Sequence, residues 1–390
     1  MIREITCYAS RITHHASRIT HHILLFLKIL VLKPSSLGDV VQALPVLRLL
    51  RQNFPQAGIY WWIDSALRAL LEGDPDLTGL FLFERRRWSS PFHWDELLAS
   101  VRQMRALKFD WVIDLQGLAR SGLFAWLANG DFTVGLDDAR EGARGFYDVA
   151  VPRPGYHTHA VEWYLEVLRQ LRVPVHWNFT WLPVCKTAAA AVKSQWRTDA
   201  ARWIALQPGA RWTNKRWPVE YFAELVKGLA EDHPDVRFVI LGGHEDGPLG
   251  GRIAQAEPER CLDMTGRTSL PAMIEWIRLS EILVTNDTGP MHVAAALGKP
   301  VVALFGPTEP RRTGPYGQVE RVLRLTSLPC APCLKDTCAY SKPFECLRGL
   351  SPALARAEAR RRMTGSKGKV EGQHFGPPGP GKSASMAGAK

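Results

Sequence analysis

KILVLKPSSLGDVVQALPVLRLLRQN, residues 28–53, runs a short apolar strand into a turn holding Gly38 and then into a helical pattern. A continuous apolar run of strand length, with no polar alternation, fits a strand buried on both faces. The same unit recurs. Apolar runs at Gly58–Ile63, Gly79–Phe83 and Asp110–Leu115 are spaced by helix-length segments, and the helical stretch Thr158–Leu171 closes the series. After the Pro-containing segment Val173–Pro183 a second series begins, with strands predicted at Trp203–Leu206, Val236–Leu241, Glu281–Thr285 and Val301–Phe305. Its helices are predicted at Pro218–Asp232, Ser269–Leu279 and Pro290–Leu297. The pattern predicts an α/β protein of two Rossmann-like doubly wound halves facing a cleft, with ligands beyond the carboxyl ends of the strands. The expected division is 28–178 and 179–350, flanked by an extension over 1–27 and a terminal helix with a basic tail over 351–390.

The chain has 390 residues and a formal net charge of +11. That excess sits mainly in the ends. Residues 351–390 hold eight Lys or Arg against two Glu, and residues 1–27 hold three Arg against one Glu, which leaves only +3 for the body. The body therefore gives no reason to expect nucleic-acid binding. Residues 9–15 and 16–22 are one heptapeptide, ASRITHH, repeated back to back, and two copies are too few for a solenoid. This extension and the Gly-, Pro- and Lys-rich end are expected to be disordered. The apolar run Ile23–Leu32 is short, broken by Lys28 and followed by no cleavage signature, so it reads as a first strand in a cytoplasmic protein with reduced thiols.

Four loops fall at predicted strand ends. In KPSSLGDV, Ser35, Ser36 and Gly38 precede Asp39, where Ser36 and Asp39 have capping-box spacing. Asp39 is either a helix cap alone or also a base, held anionic by the helix dipole. In PGARWTNKRWP, Lys215 and Arg216 offer positive charge to a departing diphosphate, or form a solvated basic loop. In LGGHEDGP, Glu245 stands where a ribose hydroxyl would be met, though such glycine pairs are common in turns. NDTGPMH carries the most information. Asp287, Thr288 and Gly289 lead into a helix whose unpaired N–H groups make an anion site, followed by Met291 and His292.

Taken in order, KPSSLGDV, DLQGLARSG (114–122), PGARWTNKRWP, NDTGPMH and LFGPT resemble glycosyltransferase family 9, the ADP-heptose:lipopolysaccharide heptosyltransferases. The resemblance spans roughly residues 28–350. It implies a GT-B fold, with the acceptor on the first half and the nucleotide sugar on the second. The implied reaction is one inverting displacement, with ADP-heptose as co-substrate and no required cofactor. By position Asp39 is the implied base and Lys215 the partner of the leaving diphosphate. Asp287, Thr288, Gly289, Met291, His292 and Glu245 are the implied donor contacts. The acceptor is then Kdo-lipid A or a heptosylated core, met at the inner membrane surface by a peripheral protein. Arg85, Arg86, Arg87, Arg120 and Arg140 are candidate contacts to its anionic groups, with Trp61, Trp62 and Trp88 as candidate apolar ones. A nicotinamide oxidoreductase would need G-x-G-x-x-G after the first strand, where KPSSLGDV stands. A non-catalytic nucleotide-sugar binder is the other alternative. Cys330, Cys333, Cys338 and Cys346 lie within seventeen residues, spaced for a four-thiolate metal site, for reduced thiols or for a local disulfide.

Overall fold

The computed structural model describes residues 27–138, 141–195 and 202–365. The repeated heptapeptide, Arg140 and the Gly/Pro-rich end lie outside them. The first half has strands β1 (Lys28–Leu32), β2 (Gly58–Asp64), β3 (Gly79–Phe83), β4 (Trp111–Asp114), β5 (Phe132–Asp137) and β6 (Val149–Pro152). They form one parallel sheet in the order β3-β2-β1-β4-β5-β6. The second half has β7 (Arg202–Gln207), β8 (Val236–Ile240), β9 (Cys261–Asp263), β10 (Ile282–Asn286), β11 (Val301–Phe305) and β12 (Leu323–Arg324). Its order, β12-β11-β10-β7-β8-β9, repeats the first topologically. Each sheet reverses direction beside its first strand, between β1 and β4 and between β7 and β10. The crevice for a ligand opens at such a switch point.

Helices α1 (Leu37–Asn53) and α4 (Ala160–Gln170) cover one face of the first sheet, and α2 (Trp94–Leu107) and α3 (Ala119–Ala128) cover the other. Trp62, Phe83, Met104, Phe109 and Phe124 fill the layer under α2 and α3. On the second sheet, α6 (Val219–Asp232) and the terminal helix α10 (Pro352–Gly365) share an outer apolar layer. The pair is fastened by Arg356 donating to Asp232 at 2.7 Å. Helices α5 (Lys186–Ser194), α7 (Gly247–Ala254), α8 (Leu270–Leu279) and α9 (Gly289–Ala296) complete the half.

A single apolar cluster runs through both halves, from β1, α1 and α4 to α8, α9 and β11. The connecting segment is part of it. The Trp181 indole donates to the Val41 carbonyl at 2.7 Å, and Arg48 donates to the Trp181 carbonyl. Arg48 is itself buried and held by Asp74 and Asp76, which matches the rule that buried charges come paired. Two expectations need correction. Trp61 and Trp62 are fully buried core residues and unavailable to a ligand. Trp88 stacks on Phe124, with ring centroids 6.3 Å apart.

Candidate active site

The site is built where the two switch points meet. Ser36 caps α1, and Asp39 lies in its first turn. The Asp39 carboxylate accepts from the Ser36 amide at 3.0 Å and from the Ser36 hydroxyl at 2.6 Å. Burial opposes ionisation of Asp39. The nearby Lys33 ammonium and the two Ser36 hydrogen bonds outweigh it, and hold the carboxyl below its ordinary range. Lys33 ends the first strand, and only 3% of it is exposed. Its ammonium donates to the Leu115 carbonyl at 2.9 Å and lies 4.8 Å from the centre of the Tyr164 ring. Desolvation favours neutral Lys33, yet Tyr164 and Asp39 keep its affinity for a proton above the ordinary value.

In the second half, Lys215 closes a short turn after β7, and its ammonium meets the Asp287 carboxylate at 2.6 Å. The same carboxylate oxygen accepts from the Thr308 hydroxyl at 2.6 Å. Trp212 lies under the ammonium, 4.7 Å from ring centre to Nζ. With Asp287 engaged this way and Thr288 making no side-chain cap, the protein's side chains leave the α9 start uncapped. Amides at such a start favour an anion. Asn286 fixes the strand end behind it, accepting from the Trp217 amide and donating to the Pro208 carbonyl.

The two helix starts meet. A Cβ on Gly38 would stand 2.3 Å from Cδ2 of His292, and a Cβ on Gly289 would stand 2.8 Å from Cδ2 of Leu37. Each glycine makes room for the other half. His292 is thereby buried between the halves, and its Nδ1 lacks a hydrogen-bond partner. Burial pulls its proton affinity below that of ordinary histidine and Lys215 adds to this, against the opposing fields of Asp287 and Asp39. One neutral imidazole thus sits among a carboxylate of the first half and an ion pair of the second.

Sequence reading named Gly38, Asp39, Lys215, Asp287, Thr288, Gly289 and His292, and the structure brings these together. It overlooked three partners. Lys33 was quoted in the first loop, but nothing in a strand-end lysine says that it will be buried. Thr308 and Asn286 were quoted in motifs without a role. In the third loop Glu245 is exposed, while its neighbour Asp246 is buried. The Asp246 carboxylate accepts from the Gly243 amide at 3.0 Å and fills the space beside Gly209. Asp246 joins the second and third loops, and the adjacent acid in GGHED was the available signal. Met291 is fully buried. Ser35 is half-buried beside Ser36, whereas Arg85, Arg86, Arg87 and Arg120 lie on an exposed surface outside this cluster. Cys330, Cys333, Cys338 and Cys346 are free thiols lining one pocket with Asn214 and Lys335. Among the described residues no three His, Cys, Asp or Glu side chains are arranged to hold a metal ion.

Residues 97–343 match the profile of glycosyltransferase family 9 (heptosyltransferase). The chain belongs to this family. It is 31% identical to lipopolysaccharide heptosyltransferase 1 of Pseudomonas aeruginosa, over 82% of this chain and 89% of that one. It is equally 31% identical to lipopolysaccharide heptosyltransferase 2 of Salmonella typhimurium, over 77% of this chain and 88% of that one. Among solved structures it resembles the E. coli ADP-heptose lipopolysaccharide heptosyltransferase II, with a TM-score of 0.69 at 25% identity over 87% of this chain and 99% of that one. A family 9 glycosyltransferase from Veillonella parvula gives a TM-score of 0.73 at 25% identity, over 87% and 98%. This family 9 member is a glycosyltransferase with the GT-B architecture of two facing Rossmann-like halves.

Proposed function

We propose that this family 9 enzyme moves a heptose from ADP-L-glycero-D-manno-heptose to the Kdo or heptose of a lipopolysaccharide inner core, with inversion in one displacement. The observation that carries the mechanism is the meeting of Asp39 with the Lys215–Asp287 pair across His292. Asp39, kept ionised by Lys33 and Ser36, takes the proton of the acceptor hydroxyl as its oxygen attacks the anomeric carbon. The leaving diphosphate rests on the start of α9 at Thr288, Gly289 and Met291. Lys215 turns from Asp287 toward its developing charge, which frees Asp287 to meet the donor sugar. Neutral His292 offers an N–H without adding a second cation. Glu245, exposed on its turn, stands available to the adenosine ribose.

On the acceptor side, Arg85, Arg86, Arg87 and Arg120 offer positive charge to a phosphorylated glycolipid, Kdo-lipid A or a heptosylated core. Among the described residues no helix is long and apolar enough to cross a membrane. The enzyme works peripherally on the cytoplasmic face of the inner membrane, where such a lipid is reached from one side. Incubation of the purified protein with ADP-heptose and defined truncated core acceptors, read by mass, tests the reading. An acceptor heavier by one heptose is expected. No transfer to any Kdo-containing acceptor, with transfer to another glycan, would move the enzyme to a different substrate within the family.

A further inference from the structure

Nine large apolar side chains are exposed among the described residues, and five of them fall between residues 92 and 126 of the first half. Phe92 is 90% exposed on the turn leading into α2, and Trp94 and Leu98 follow one helical turn apart. Leu123 and Trp126 stand one turn apart on α3. The two helices are neighbours on the same sheet face, with Arg105 of α2 donating to the Leu127 carbonyl of α3. Exposed residues at such spacing form one surface across adjacent helices.

Positive charge is built into that surface. Arg85, Arg86 and Arg87 occupy a turn fixed at both sides, since Trp88 stacks on Phe124 of α3 and Arg87 pairs with Glu96 of α2. Arg102 and Arg105 are exposed on α2, and Arg120 is exposed at the start of α3. The acids on α2 are Asp95 and Glu96, and Glu96 is already engaged by Arg87 and His93. Aromatic side chains on a positively charged face suit a bilayer interface. The rings enter the headgroup layer, and the guanidinium groups meet lipid phosphates. A protein partner of ordinary composition would leave most of these arginines unmatched.

We propose that the α2–α3 face, with Phe92, Trp94, Leu98, Leu123 and Trp126 ringed by arginine, is the surface by which this enzyme docks on an anionic phospholipid bilayer. This deepens the peripheral reading above, and it does not depend on which sugar is moved. The full chain is sedimented with vesicles of phosphatidylcholine alone, or with about 30% phosphatidylglycerol, in the absence of any glycan. Wild type is expected to bind the anionic vesicles, to release them as salt is raised, and to bind the neutral ones weakly. Phe92→Ser with Trp126→Ser is expected to lower binding about tenfold, with turnover on a water-soluble deacylated acceptor and thermal midpoint unchanged. Phe92→Ser alone, on the outermost ring, is expected to lower it in part and serves if the double variant is poorly folded. Equal binding by wild type and variants would overturn the proposal and assign adhesion to another segment, such as the basic tail. No binding of wild type to anionic vesicles would overturn it too, as would loss of self-association in place of lipid binding. Because no sugar is present, these failures are separate from any failure of heptose transfer.

Discussion

At the scale of single residues, Asp39 and Lys33 divide one task. A base must be ionised where the enzyme works and must still accept a proton in the transition state. Asp39→Asn removes the acceptor of that proton and keeps the shape, so turnover is expected to fall by about two to four orders of magnitude. ADP affinity, measured by calorimetry, should stay nearly unchanged, and an active Asp39→Asn enzyme would end the assignment of the base. Lys33 acts by field alone. It holds Asp39 below the ordinary carboxylate range, so the rate is lost only as pH falls through that depressed value. Lys33→Met takes the field away and moves the acid limb of the kcat/KM profile to higher pH. A profile that shows a lower rate with an unmoved limb would make Lys33 a packing residue only. On the donor side, Lys215→Ala is expected to weaken ADP-heptose binding and turnover together, by about tenfold or more each, because its charge serves both the bound and the leaving diphosphate.

At the scale of elements, the α1 and α9 starts are coupled through Gly38 and His292. Gly38→Ala puts a methyl 2.3 Å from the imidazole, and overpacking of this kind costs about 1–3 kcal/mol. The thermal midpoint of Gly38→Ala is expected to drop, and His292→Ala in the same chain should recover part of the loss. Additive losses in that double-mutant cycle would show that the contact is unimportant. The same pair marks how far the sequence could be read. Both helix starts were legible because strand, turn and helix follow one another within a dozen residues. Lys28–Leu32 and Gly79–Phe83 were visible as apolar runs, since a parallel strand buried on both faces has no polar alternation. Strands β5, β9 and β12 were not, because Phe132–Asp137 carries Thr133 and Gly135, and the other two are only three and two residues long. The site residues that lay inside motifs could be named, but their partnerships could not. That Lys215 would bind Asp287, 72 positions away, or that Lys33 would lie beneath Tyr164, depends on two chain crossovers that no local pattern encodes.

At the scale of the whole molecule, the two halves are held together by a contact that works in only one protonation state. His159 begins α4, and its Nδ1 accepts from the Val161 amide at 3.2 Å. Its Nε2 must therefore carry the proton, which it donates across the halves to the Gly314 carbonyl at 3.0 Å. Burial drives the folded-state value down to about 4, although the Gly314 bond works the other way. A histidine whose folded value is depressed is neutral in the native protein while the unfolded chain takes up a proton near pH 6.5. Its contribution to stability is thus complete above about pH 6.5 and is lost as pH falls toward 4, by about 3 kcal/mol in all. Buried His292, also shifted down, adds in the same direction. Urea unfolding followed between pH 7.5 and 4.5 is expected to show stability falling with acid, and His159→Gln, which retains a donor toward Gly314, should flatten part of that slope. An unchanged slope in His159→Gln would mean that acid loosens the halves through other groups. A flattened one would tie the closure that brings Asp39 to the Lys215–Asp287 pair to the neutral form of one imidazole.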